Sequence, residues 1–380
     1  MSYINVIITA CFVFPFLAFL ITLPYIIYNY NKYGSVLFVR SIIVYSFVLY
    51  LLSAYFLIIM PLPSFEYASH IKTKVQLIPF DLVSKIMKTV HFDYKDISSY
   101  INVLKNPFVY QTIYNTFLTI PFGIFLRYYY KFTFKKILLF TFLLSLFFEL
   151  TQLTGIYFIY PNAYRLFDVD DLIVNTLGGI IGFVISPLLM KFLPTKDELD
   201  LKSYKKGWRV SSTKRIITFI IDLTFVFIFI CFEYLFIYLF GVYNKYYVYI
   251  LISFIIFFLI IPFITGGQTL GYKITNIIIR NNDGTFVKRY KVLFRNTLLT
   301  TIYIPLYYYL YLLFMFINKI SKNNYDSLII GGYISTVIII SVLIFVRNFI
   351  LHKDFKYEKI SKTKLYSTIE KFDGEKKINQ

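Results

Sequence analysis

Apolar positions dominate the chain in long unbroken runs, separated by short polar stretches instead of alternating with them. A helix of ~20 apolar residues is long enough to cross ~30 Å of hydrocarbon. Runs of about that length lie near 4–28, 36–60, 109–127, 136–155, 172–192, 216–241, 246–265, 297–318 and 328–350. The pattern predicts an all-α polytopic integral membrane protein of about nine transmembrane helices. One stretch follows a different period. Residues 274–279 are β-prone, Asn282-Asp283-Gly284 is a turn signal, and Phe286-Val287 follows. That order predicts a small cytoplasmic β-hairpin near 274–288.

Composition agrees with the membrane reading. The chain is 58% hydrophobic and 16% charged, against about 25% charged in soluble domains. The first run begins near Ile4 with no preceding Lys or Arg and no small-residue cleavage site, so it reads as a retained span. Cys11 and Cys231 fall inside apolar runs and read as small buried hydrophobes, neither disulfide nor metal ligands. The formal charge of +19 is not gathered into a basic stripe on a soluble domain, which argues against nucleic acid as a partner. If the N-terminus lies outside, most of the 39 Lys and Arg residues collect on the inner side. They include Lys32, Arg40, the cations from Arg127 to Lys136, and those from Lys191 to Arg215. The predicted topology is N-terminus out and C-terminus in, with the lipid bilayer and anionic lipids as partners.

Four segments follow. Residues 1–193 form a first membrane domain with an outer loop at 61–108, and 194–212 form a charged cytoplasmic linker in which Trp208 is an interfacial anchor. Residues 213–366 form a second membrane domain, and 367–380 a polar tail. Within the outer loop QLIPFDLV (76–83) is the most apolar part. The favoured expectation is an amphipathic surface helix; the alternative is a cap over the bundle.

Candidate chemistry concentrates between 149 and 182. Glu149 and Gln152 are three apart and share a helix face. Arg165 follows in a loop, then Asp168, Asp170 and Asp171 open the next span. Asp168, Asp171 and Asn175 align along one side, while Asp170 points elsewhere. Gly178, Gly179 and Gly182 form a small-residue seam for a neighbouring helix, and Pro121 and Gly123 allow close approach in the third span. Asn115 and Thr119 share a face of that span.

The functional reading is an outward-facing polar pocket. Its acids could hold a divalent cation, an amine or an ammonium group, and Arg165 a carboxylate or phosphate. The simpler reading makes Asp168 a helix cap, sets Asp170 and Asp171 against the helix dipole, and has Arg165 neutralise them. It leaves Glu149, Gln152 and Asn175 unexplained. No nucleophile–base pair is evident, because His70, His91 and His352 all lie away from the cluster. Enzyme activity is therefore an open question weighted towards no, and a divalent cation is the sole cofactor candidate. In the second domain Asp222 and Glu233 sit within an apolar run and need a partner or water. GGQTLG (266–271) lacks the Lys-Ser/Thr ending of a nucleotide-binding P-loop.

PFG at 121–123, then E-x-x-Q, R-x-x-D-x-D-D and N-x-x-G-G-x-x-G resemble the VanZ-like family over roughly residues 1–193. The resemblance implies a cell-envelope role in a bacterial plasma membrane and a link to teicoplanin resistance. Its characteristic polar positions map onto Glu149, Gln152, Arg165, Asp168, Asp170, Asp171 and Asn175. Residues 204–366 resemble the RDD family, through Arg215 with Asp222, then Gly267, Thr269, Gly271 and Lys273 of G-Q-T-L-G-x-K, Asp283-Gly284, and Arg295. That family closes with a His-Asp pair. Here Tyr357-Glu358 stands in its place, so Glu358 replaces the final acid and roles needing the histidine fall away.

Three functions remain open. The first is an envelope protein that modifies susceptibility to glycopeptides such as teicoplanin, with cell-wall precursors or glycopeptide as partners. The second is a secondary ion transporter using Asp222, Glu233 and Arg215, although two unlike domains lack the internal repeat common in such proteins. The third is a metal-dependent enzyme on a lipid-linked phosphate.

Overall fold

The computed structural model describes residues 3–70, 75–89, 95, 97–240, 252–299 and 356–369. The chain forms two compact units. One holds residues 1–23 and 37–200, and the other holds 24–36 and 201–380. Among the described residues, five helices are long and apolar enough to cross a membrane: Ile4–Tyr33, Phe38–Ile59, Phe134–Leu153, Val169–Met190 and Ser212–Phe236. Their large side chains point outward, with Phe12 73% and Phe19 80% exposed. Apolar surface on that scale is unfavourable in water and favourable in lipid. The fold is that of a helical membrane protein.

In chain order the elements are α1 (Tyr3–Tyr33), α2 (Phe38–Ile59), α3 (Phe65–His70), β1 (Val75–Gln76), α4 (Asp81–Thr89) and α5 (Ile97–Leu104). Next come α6 (Pro107–Tyr130), α7 (Phe134–Leu153), a left-handed turn α8 (Gly155–Phe158), β2 (Phe167–Asp168), α9 (Val169–Met190) and α10 (Lys196–Gly207). The second unit continues with α11 (Ser212–Phe240), α12 (Ile252–Ile264), α13 (Leu270–Ile274), β3 (Ile277–Asn281), α14 (289–299), α15 (Lys356–Ser361) and β4 (Thr363–Ser367).

The first unit is built on α6, α7 and α9. A Cβ on Gly178 would strike the Thr116 carbonyl, one on Gly182 the Ile120 carbonyl, and one on Gly123 the Gly179 backbone. Glycine therefore permits backbone-to-backbone contact between α6 and α9, the packing that small residues give membrane helices. Pro187 lies inside α9 and has no N–H for the carbonyl four residues earlier. That carbonyl belongs to Phe183, and Arg127 Nη1 donates to it at 2.6 Å. In the second unit Asn296 Nδ2 serves the Phe258 carbonyl at 3.1 Å, four residues before Pro262. The helix is π-helical over Ile256–Ile260 there, a common way to relax such a break.

Several expectations change. The seventh run shows only Ile252–Ile264 as helix among the described residues, with that π-helical interruption. The eighth run (297–318) beyond residue 299 and the whole of the ninth (328–350) fall outside the described residues. The turn at 281–285 forms, but Phe286 makes only an isolated bridge to Arg280. Only two residues separate it from α14, too few for a strand. Instead β3 pairs antiparallel with β4, from Ile277↔Ser367 to Asn281↔Thr363, and Ile277, Ile279, Val292 and Leu365 form the core beneath. Cys11 and Cys231 are exposed free thiols, not buried ones. An apolar run does not distinguish a lipid-facing position from a core position.

The outer segment is also tied down. α4 is amphipathic, and its Val83 and Met87 are exposed as a surface helix requires. Yet Val75 and Gln76 pair in parallel with Phe167 and Asp168, so the segment closes over the start of α9 as well.

Candidate functional site

The site begins with the N-terminus of α9. Its first N–H groups have no partners within the helix. Asp168 is the N-cap, its Oδ1 accepting from Asp170 N at 2.9 Å. Asp170 sits in the first turn of α9 and reaches the outer segment. Its two oxygens accept the backbone N–H groups of Phe80 at 2.5 Å and Leu82 at 2.8 Å. Asp170 thereby binds the outer segment to α9.

Asp171 faces α6, where Asn115 Nδ2 donates to its Oδ1 at 2.8 Å. One turn deeper, Thr119 Oγ1 donates to the Asn175 carbonyl at 2.6 Å. Asn175 Nδ2 in turn donates to Ser145 Oγ on α7 at 2.9 Å. The Asn175 side-chain oxygen is buried without a hydrogen-bond partner. Glu149, 4% exposed, accepts the Asp168 N–H through Oε2 at 3.1 Å.

Arg165 corrects an expectation. It does not pair with an acid; its Nη1 donates to the Ile58 carbonyl at 2.8 Å and its Nη2 to that of Met60 at 3.0 Å. Gln152 Nε2 donates to the Ile58 carbonyl as well, at 3.0 Å. These are the last carbonyls of α2, unsatisfied within the helix and at the negative end of its dipole. A guanidinium group matches both needs.

All seven sequence-derived polar residues of this half line one cavity of about 1210 Å³. The sequence reading missed Lys85, Lys105 and Gln111, which line it too. Lys85 Nζ lies 2.9 Å from Asp81 and 4.0 Å from Asp168. Burial raises the Asp168 carboxyl above the ordinary aspartate range, and nearby Lys85 opposes that rise. A polar stripe at Gln111, Asn115 and Thr119, each four residues apart, was the signal available for Gln111. Apolar side chains, among them Leu57, Leu118 and Phe148, form another part of the wall. The cavity thus offers acids, cations and a greasy side to one occupant. Among the described residues, no group of three or more His, Cys, Asp or Glu side chains is arranged to hold a metal ion. His70 ends α3 on the exposed surface, while His91 and His352 lie outside the described residues.

The polar residues of the second unit are arranged differently. Asp222 Oδ2 accepts from Thr269 Oγ1 and Oδ1 from Gly271 N, both at 2.7 Å. Thr269 also caps α13, accepting from Tyr272 N at 3.0 Å. A Cβ on Gly271 would strike the Thr218 carbonyl and crowd the Asp222 carboxylate. Gly267 holds φ +112°, a conformation open to glycine. Arg215 does not pair with Asp222. It meets Glu358 at 2.8 Å, and Arg295 approaches the other oxygen of Glu358 at 3.4 Å. Lys273 is exposed on α13. Within the span, Glu233 accepts from Ser253 Oγ at 2.7 Å.

No curated protein and no solved structure matches the chain. The RDD family model covers residues 209–329 and so ends before Glu358, while the VanZ/LLP1 model covers residues 47–190 and contains the whole acidic cavity cluster. The chain joins a VanZ-like segment to an RDD segment.

Proposed function

We propose that the VanZ-like segment is a ligand-binding module of the cell envelope, that its cavity opens to the outer face, and that its occupancy modifies susceptibility to glycopeptides such as teicoplanin. One observation carries the reading. Glu149, Asp171 and Asn175, drawn from two different helices, converge on a cavity whose polar wall includes the unpartnered Asn175 oxygen. A polar group left unpaired in a buried site is costly. An occupant with a donor would satisfy it. The acids suit an amine or ammonium group, Lys85 and Lys105 suit an anionic group, and the apolar wall suits a hydrocarbon portion.

Capping alone accounts for Asp168, Asp170 and Arg165, and these three are assigned to holding the cavity's frame. Glu149 and Asp171 are assigned to the ligand. The transport reading receives less support, because Asp222, Arg215 and Glu233 already meet partners within the second unit.

The test is teicoplanin susceptibility of a sensitive Gram-positive host expressing wild type or Glu149→Gln at matched membrane abundance. Protection by wild type that is lost in Glu149→Gln is the expected result. Equal protection by both removes Glu149 from the site, and protection by neither removes the glycopeptide role.

A further inference from the structure

The acidic cavity of the first unit divides by exposure. Glu149 and Asn175 belong to a buried floor, while Lys105, Pro107, Tyr110 and Gln111 are exposed and mark the mouth. The floor presents acceptors that lack donors. Glu149 places Oε2 on the Asp168 N–H, and its Oε1 has no hydrogen-bond partner among the described residues. The Oδ1 of Asn175, a residue only 3% exposed, has none either. The orientation of that amide follows from its neighbour: Nδ2 donates to Ser145 Oγ at 2.9 Å, and Ser145 Oγ donates on to the Asp171 carbonyl at 3.3 Å. Neither Glu149 nor Asp171 forms an ion pair among the described residues. Arg165 serves the Ile58 and Met60 carbonyls, and Lys85 pairs with Asp81 and Asp168. A buried carboxylate without a counter-charge is unfavourable. A primary ammonium group meets both deficits, because it carries a positive charge and three N–H donors. A quaternary ammonium brings the charge without a donor and leaves the Asn175 oxygen unsatisfied.

The cations lie close to this floor. Lys85 Nζ is 4.0 Å from Asp168 Oδ2, and Asp168 N is 3.1 Å from Glu149 Oε2, so one residue separates the two zones. Lys105, at the mouth, makes no ion pair among the described residues. An ammonium group and an anion joined by a short spacer fit that order. We propose that the cavity binds the headgroup of a phospholipid bearing a primary amine, of the phosphatidylethanolamine type, with the ammonium group on Glu149 and Asn175 and the phosphate towards Lys105. The assignment rests on the reading above that this cavity is a ligand site, and it names the class of ligand. Two features favour a lipid over a soluble amine. Leu57 and Leu118 give the cavity an apolar side, and the mouth carries Tyr110, a residue type enriched at the depth of lipid headgroups.

Binding is read as the rise in thermal midpoint of the full-length protein in non-ionic detergent as a probe is added. Short-chain phosphatidylethanolamine should raise the midpoint saturably, while phosphatidylcholine and phosphatidylglycerol of the same chain length should not. That comparison on wild type needs no variant. Glu149→Gln should raise the half-saturating concentration about tenfold or more, as loss of a charge-assisted hydrogen bond does. Lys105→Gln, an exposed change, should weaken the response to phosphatidylethanolamine and leave unaltered that to octylamine, which has the ammonium group without a phosphate. Lys88→Gln, an exposed cation outside the cavity, should change neither. A response to O-phosphoethanolamine as strong as that to the lipid would support the ammonium and phosphate positions and overturn the lipid as their source. Equal responses to phosphatidylethanolamine and phosphatidylcholine, equal responses from wild type and Glu149→Gln, or no response to any amine would overturn the proposal. The susceptibility assay fails separately: a selective lipid response without protection from teicoplanin would remove the glycopeptide role and support this assignment, and protection without a selective response would do the reverse.

Discussion

Glu149 in the VanZ-like segment and Glu358 beyond the RDD match are both buried carboxylates, 4% and 2% exposed. Their surroundings differ. Glu358 places one oxygen on Arg215 and the other on Arg295, and Asp222 in the same unit is likewise held through both oxygens. Glu149 accepts a backbone N–H from Asp168 and lines a cavity of about 1210 Å³. Burial of a charge therefore does not by itself mark a functional site. What distinguishes the two clusters is whether the polar groups answer one another or face open space.

That contrast can be tested at four places, beginning with the largest expected effect. Glu358→Gln leaves Arg215 and Arg295 without their shared counter-charge. Breaking such a pair costs about 3–5 kcal/mol, so a fall in the thermal midpoint of the detergent-solubilised protein is expected. An unchanged midpoint would mean that the second cluster is not a structural lock. Gly123→Ala places a methyl group against the Gly179 backbone. Overpacking of this kind costs about 1–3 kcal/mol, and a melting series would show it.

Asp170→Ala strips the acceptors from Phe80 and Leu82. Amide hydrogen exchange should accelerate at those two positions and leave the deeper turns of α9 unaltered; slow exchange there would refute the clamp. The smallest effect concerns Asp168→Asn, which keeps a good N-cap but removes a charge. Burial lifts the folded-state pKa of Asp168 above its ordinary 3.8, so the ionised form is the disfavoured one. The variant should gain a little stability at neutral pH, and the gain should vanish as pH falls below the unfolded-state value. A gain independent of pH would point to another cause.

Much of the VanZ-like site was legible because it obeys helical periods. Glu149 with Gln152, and Asp168 with Asp171 and Asn175, share faces by spacing alone, and the glycines of α9 announced a close neighbour. What escaped notice depended on groups with no side-chain signature. The donors to Asp170 are main-chain N–H groups about 90 residues earlier. Arg165 seeks carbonyls at the end of α2, and any sequence has carbonyls. The true partner of β3 lies beyond residue 360, too far along the chain for a local hairpin rule to find. The two cysteines show the remaining limit: in a membrane protein both the core and the lipid-facing surface are apolar.

The most direct test sets one acid from each cluster in the same assay. Teicoplanin susceptibility is measured in hosts expressing wild type, Glu149→Gln or Asp222→Asn at equal membrane abundance. The account predicts that Glu149→Gln loses the protection given by wild type while Asp222→Asn retains it. Loss in Asp222→Asn with full protection by Glu149→Gln would contradict it and move the function to the RDD segment.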